Sequence, residues 1–387
     1  MRPLRLGFPV KVLARPDLKS HDTRRWKNGP HLRTSLACLD RILDHLREHE
    51  IAMYRMSSDL APYATHPGMP RFHGMVAESA ADLAAIGAKA RAQGVRLSFH
   101  PSQYVLLNSA DDRLTRQSIW DLSSQAEVLD SMGLDDEAVI VTHVGGVYDD
   151  HDASRARWID GWNRCPAHVR RRLVLENDDM RFSAADVLWI HGHTGVRLVF
   201  DHQHFCCLNP EWLALRPTLE AFLRTWPAGT RPKIHFSSPR TELREVKRKV
   251  GAGERAAAGS GRTVAGQTTR KAVTATSRTK TVLLPPVWTG HADFTNPFEF
   301  ATFMRAADGL DFDVMLEGKA KDLALMRLRI DLPRYAPDVA ARFGLGAEAA
   351  ARIAADEARL AIGVEAAADA EVDVDGGARA EADQILA

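Results

Sequence analysis

Eight short apolar runs, separated by longer amphipathic stretches, set the architecture open to this chain. The runs fall at 4–8, 51–56, 95–100, 138–143, 172–176, 196–201, 232–236 and 312–317, each long enough for a strand and too short for an ordinary helix. Between them, stretches such as 35–49, 78–93 and 115–132 repeat apolar residues at intervals of three and four, the period of a helix packed along one face. A parallel neighbour is reached only through a crossover, most often helical. Strand and helix alternating in this way therefore predict an α/β fold, a (β/α)8 TIM barrel. Such a barrel takes roughly 250 residues, so one large domain with appendages accounts for 387 residues better than two equal domains.

The ends of the runs carry the chemistry. Six of them stop at His100 (VRLSFH), His143 (VIVTH), Glu176 (RLVLE), Asp201 (VRLVFD), His235 (PKIH) and Glu317 (FDVMLE), and His204 and His291 follow just beyond strand ends. Parallel barrel strands deliver their C-terminal ends to one mouth, so these residues are predicted to meet. Any one of them alone reads as an ordinary hydrogen-bonded residue. Together, buried at one mouth, they would repel or stay unpaired without a cation. Five His, two Glu and one Asp exceed the needs of a single ion, and a polynuclear hydrolytic site is expected. Mixed imidazole and carboxylate ligands suit Mn²⁺ or Zn²⁺ better than Mg²⁺, which prefers oxygen.

Composition narrows the setting. No apolar run approaches membrane-spanning length, and the N-terminus enters its first strand without the pattern of a secretory signal, so a soluble, cytoplasmic monomer is expected. Cys38, Cys165, Cys206 and Cys207 show neither zinc-finger nor disulfide-framework spacing, and the adjacent pair reads as core packing. The net charge of +1 conceals a division: residues 240–282 hold eleven Lys/Arg against three Glu, whereas 345–387 hold three Arg against ten Asp/Glu. The first segment reads as a low-complexity basic insertion, disordered and dispensable for folding, and the second as an acidic, Ala-rich, largely disordered tail. The barrel is thus assigned to 1–239 and 283–340.

Nine blocks carry a resemblance to a known family: LGFP (6–9), YRMSSDLAPYATHP (54–67), LSFHPSQYVLLNS (97–109), VTHVGG (141–146), LVLENDD (173–179), FDHQH (200–204), KIHFSS (233–238), GHADF (290–294) and MLEGKAKD (315–322). In this order they resemble the ultraviolet damage endonucleases, relatives of endonuclease IV among the metal-dependent TIM barrels. The resemblance implies that His100, His143 and Glu176 hold one ion, that Glu176 bridges to a second held with Asp201, His235 and Glu317, and that His204 and His291 hold a third. Lys233 falls where the family carries a lysine carbamate. Unmodified, its ammonium would repel the cations, so carbamylation or an outward orientation is required. Gln103 and Tyr104 match a pair that enters the duplex and fills the space of two extruded bases, at a cost of a few kcal/mol per unstacked step that a wedge offsets. His66 is a candidate for phosphate contact or proton transfer.

The implied activity is nicking of double-stranded DNA 5′ to ultraviolet photoproducts. The chain departs from the family where Phe8 replaces a Tyr of the lesion pocket, which removes a hydroxyl but is expected to keep a stacking face for the lesion, where 10–15 lacks an expected Asn, and where Gln203 replaces a common His. Two other readings remain: a xylose-isomerase-like sugar isomerase or epimerase on the same barrel, and a noncatalytic metal-dependent DNA-binding protein.

Overall fold

A computed structural model describes residues 3–249 and 279–346. Eight parallel strands line the interior: β1 (Leu6–Pro9), β2 (Met53–Arg55), β3 (Arg96–Ser98), β4 (Ile140–Thr142), β5 (Leu173–Glu176), β6 (Arg197–Val199), β7 (Lys233–Phe236) and, last in the chain, β12 (Asp313–Leu316). Two ladders form, β3-β2-β1-β12-β7 and β4-β5-β6. Parallel bridges at Phe99 with Ile140 and at Asp201 with His235 join them into a ring. The predicted barrel is therefore present, with all eight strands where the apolar runs lie.

Period-two alternation decides which residues enter the barrel. Val139, Val141, Val174 and Val199 gather with Trp226 in a small cluster separate from the main core. One further step along those strands come His143, Glu176 and Asp201. The opposite parity, with Leu6, Phe8, Tyr54, Leu97, Leu175, Leu198 and Ile234, joins the helix residues in the main core. The helix Leu32–Glu48 shows why: Leu32, Leu36, Leu39, Ile42, Leu43 and Leu46 fall on one buried face. Below the valines, Asp313 is fully buried and paired with Arg96 at 2.8 Å and Arg5 at 2.8 Å. Removing one member of such a pair strands a charge in a dry interior.

Phe8 is corrected by the same parity. It pairs in register with Tyr54 and meets that ring edge-on at 5.4 Å, with no exposure, so it is a core residue and offers no stacking face to a lesion. Cys206 and Cys207, read as core, are exposed and half-buried on the short helix His202–Cys207, and all four cysteines are free.

The basic segment 240–282 is more structured at its ends than its composition suggested. Beyond β7, β8 (Pro239–Arg240) pairs antiparallel with β11 (Val287–His291). Next to this stem, β9 (Arg244–Lys249) and β10 (Thr279–Leu284) form an antiparallel ribbon of six residue pairs. Lys and Arg interspersed with Val, Thr and Leu suit a two-sided ribbon as readily as a coil, which is why composition alone missed it. The rest of that segment, 250–278, and the acidic tail from 347 onward lie outside the described residues. No helix among the described residues is long and apolar enough to cross a membrane.

Candidate metal centre

Glu176 is the hub of the barrel mouth. Its side chain is fully buried at the end of β5. One carboxylate oxygen, Oε2, faces His100 Nε2 at 3.1 Å and His143 Nε2 at 3.5 Å, while Oε1 faces His235 Nδ1 at 2.8 Å. Glu317 Oε1 approaches the same His235 nitrogen at 3.3 Å. Two groups of ligand atoms result, each with all members within 4.8 Å of one another: His100, His143 and Glu176, and Glu176, Asp201, His235 and Glu317. Glu176 belongs to both.

The electrostatics suit cations. Burial opposes ionisation of Glu176, yet the facing imidazoles of His235 and His143 hold its carboxyl well below the usual carboxylate range. For Glu317 burial is likewise overcome, chiefly by Arg55, with which it forms an ion pair. Both carboxylates therefore stay ionised. His143 Nδ1, His235 Nε2 and Asp201 Oδ2 are buried with no hydrogen-bond partner. Buried polar atoms are normally paired, and orphaned imidazole and carboxylate atoms around two ionised Glu side chains fit divalent cations.

Asp201 and His204 are set by one local device. Asp201 caps the helix His202–Cys207, its Oδ1 accepting the His204 backbone N–H at 2.8 Å, which leaves Oδ2 turned elsewhere. Asn177 clamps the Asp201 backbone from both sides, donating to its carbonyl at 3.0 Å and accepting its N–H at 2.9 Å. The Asn177 carbonyl lies 3.0 Å from His204 Nδ1. Burial lowers the His204 pKa, but Asp201, Glu176 and Glu317 outweigh it and raise the imidazole to about 9. His291 arrives from outside the barrel, as the last residue of β11, with Nε2 3.9 Å from Glu317 Oε2.

Lys233 lies inside the barrel, which excludes the outward orientation. It shares the parity of His235, has no exposure, and places Nζ 3.2 Å from Ser98 Oγ. Burial, with Arg96 and Arg55 nearby, pushes its amine well below the ordinary lysine range.

A cavity of about 1010 Å³ opens over the cluster, lined among others by His100, Gln103, Tyr104, His143, Tyr148 and Arg181. Tyr104 is 78% exposed at its rim. Asn108 ties the loop bearing Gln103 and Tyr104 to the next one, donating to the Gly146 carbonyl at 2.8 Å. His66 is not brought to this cavity. It lines a neighbouring one of about 400 Å³ beside Ser102, and its Nδ1 accepts the Gly68 N–H. Sequence reading missed Arg55, although counting two residues on from Met53 along β2 places it at the mouth. It also missed Asn177 and Ser237, whose roles depend on tertiary contacts that no spacing reveals.

The fold and its mouth define a parallel (β/α)8 barrel with a buried His/carboxylate cluster at the C-terminal ends of its strands. The model of the family "UV-endonuclease UvdE" matches residues 27–341, and the chain belongs to that family. It is 29% identical over 328 residues to the UV DNA damage endonuclease of Bacillus cereus (strain G9842), covering 83% of this chain and 88% of that protein. With the namesake from Bacillus cereus (strain Q1) it shares 30% identity over 294 residues, 74% of this chain and 77% of the relative. The crystal structure of SacUVDE is similar at a TM-score of 0.65 and 28% identity, over 86% of this chain and 98% of that one.

Proposed function

We propose that this protein is a DNA repair endonuclease that hydrolyses the phosphodiester 5′ to ultraviolet photoproducts, leaving a 3′-hydroxyl and a 5′-phosphate. Cyclobutane dimers and 6-4 photoproducts are the expected substrates, with abasic sites accepted because disrupted pairs open cheaply. The observation that carries the reading is Glu176, whose two oxygens face two separate ligand groups in a family of UV endonucleases. Two to three divalent ions, Mn²⁺ in preference to Zn²⁺ or Mg²⁺, would supply activation of the attacking water and neutralise charge on the phosphate.

The chain's own residues do the rest. His100, His143, Asp201, His204, His235, His291 and Glu317 complete the ligand set around Glu176. Gln103 and Tyr104 enter the duplex from the cavity rim, the amide against base edges and the ring as a stacking face, and so hold the lesion strand over the cluster. Lys233, kept neutral by burial, is a suitable nucleophile for CO₂, and its carbamate, formed with release of one proton, would place an anionic group near the ions. The basic ribbon β9–β10 adds sequence-independent phosphate contact.

The test uses a duplex with one defined photoproduct, an undamaged twin, and metal-stripped protein with and without Mn²⁺. A single Mn²⁺-dependent cut 5′ to the lesion, with a polymerase-extendable 3′ end, is expected. Equal cutting of both duplexes, or none, overturns the reading.

A further inference from the structure

Gln203, which departs from the family's usual His, is 3% exposed and bonds three groups, the last of which carries the chain on to His291. Its Nε2 lies 3.1 Å from the Trp288 carbonyl and 3.1 Å from the Gly290 carbonyl. Its Oε1 lies 2.7 Å from Ser237 Oγ, and that hydroxyl lies 2.6 Å from His291 Nδ1.

Donor and acceptor bookkeeping leaves one arrangement. Two carbonyls accept only, so the amide nitrogen must face them and the amide oxygen must face Ser237. The single hydroxyl proton of Ser237 then goes to Gln203 Oε1, since two oxygens 2.7 Å apart need a proton between them. Ser237 Oγ is left as an acceptor toward His291, so Nδ1 must carry the hydrogen. The lone pair of His291 is thereby placed on Nε2, the nitrogen on the Glu317 side. His204 is fixed by the same logic, because Nδ1 facing the Asn177 carbonyl at 3.0 Å must donate. In their neutral forms the two rings, with centroids 5.8 Å apart, thus both present Nε2 as the free ligand atom.

We propose that Gln203 and Ser237 are positioning residues that lock His291 in its Nδ1–H tautomer and so create the ion site shared with His204. This rests on the metal-dependent reading above. Gln203 has a second task that a strand-end residue would not need. His291 comes from the hairpin β8–β11, outside the barrel ladder, and the amide anchors that hairpin to the helix His202–Cys207 through two carbonyls of β11. Partners that fix a ligand's tautomer typically contribute about tenfold to a hundredfold in metal affinity.

The experiment uses the full chain with ¹⁵N-labelled histidine, without DNA. Long-range ¹H–¹⁵N correlation on metal-free protein reads the His291 tautomer, and Mn²⁺ titration followed by mass spectrometry counts ions. Wild type is expected to show a pyridine-like Nε2 and one more ion than His291→Ala. Ser237→Ala and Gln203→Met are expected to mix the tautomers and weaken only the most loosely held ion, by about tenfold to a hundredfold, with Ser237→Thr restoring both. An unchanged tautomer and ion affinity in Ser237→Ala, or a wild-type ion count no higher than that of His291→Ala, overturns the proposal. Full ion loading with no cut in damaged DNA would instead sink the nuclease reading and leave this one standing.

Discussion

Glu176→Gln preserves shape while removing the charge on which two ligand groups converge. A carboxylate offers an oxygen to each side, whereas an amide has one oxygen and one NH₂. Whichever way it turns, either His235, now 2.8 Å from Oε1, or His100, 3.1 Å from Oε2, meets a donor where an acceptor stood. One ion site then loses a ligand outright, and the other keeps only a neutral one. Interactions with a charged group carry about 1.5–3 kcal/mol. Two affected sites at the lower figure give about 3 kcal/mol, more than a hundredfold in rate at about 1.4 kcal/mol per factor of ten. The variant should fold, because the buried charge it removes is one that burial already opposed. Single-turnover nicking of a photoproduct duplex, with ion content measured on the same sample, is the assay. Full activity with unchanged metal content would refute the bridging role.

Other expectations follow from single groups. Tyr104→Ala should keep its ions and lose discrimination between damaged and intact duplex by about fivefold or more, the low end of a stacking contact of about 1–3 kcal/mol; binding curves on the two duplexes check it, and an unchanged affinity ratio returns Tyr104 to ordinary loop surface. Replacing Lys247 of the ribbon with Ser should leave saturated nicking intact and flatten the salt dependence of DNA binding by up to about 0.9 in log–log slope, the value of one phosphate contact. His45 is lowered to about 4, mainly by burial and then by His49, and its Nδ1 has no hydrogen-bond partner. A depressed folded pKa means full stability above about pH 6.5 and loss as pH falls toward 4, up to about 3 kcal/mol. Urea unfolding of His45→Leu across that window should show a shallower acid slope than wild type, and identical slopes would contradict the assignment.

The barrel was legible because its two signals are local. Eight apolar runs gave the strands, and the helical period between them gave the outer layer. The mouth residues were legible because strand parity is strict, so His143, Glu176 and Asp201 each sit one step beyond an interior valine. Parity also explains the error at Phe8, which occupies the alternate position on β1 and faces the helix layer with Tyr54. His291 belongs to an antiparallel hairpin that neither composition nor the barrel pattern announces. Gln203 looked like a defect in a motif because its partners, two backbone carbonyls and Ser237, are brought to it only by folding.

The most direct test of the central claim is anomalous diffraction from crystals of this protein loaded with Mn²⁺. Two strong peaks flanking Glu176 are expected, one within coordination distance of Oε2, His100 and His143, the other of Oε1, Asp201, His235 and Glu317. A well-ordered mouth with saturating Mn²⁺ and no peak touching either oxygen of Glu176 would contradict that claim.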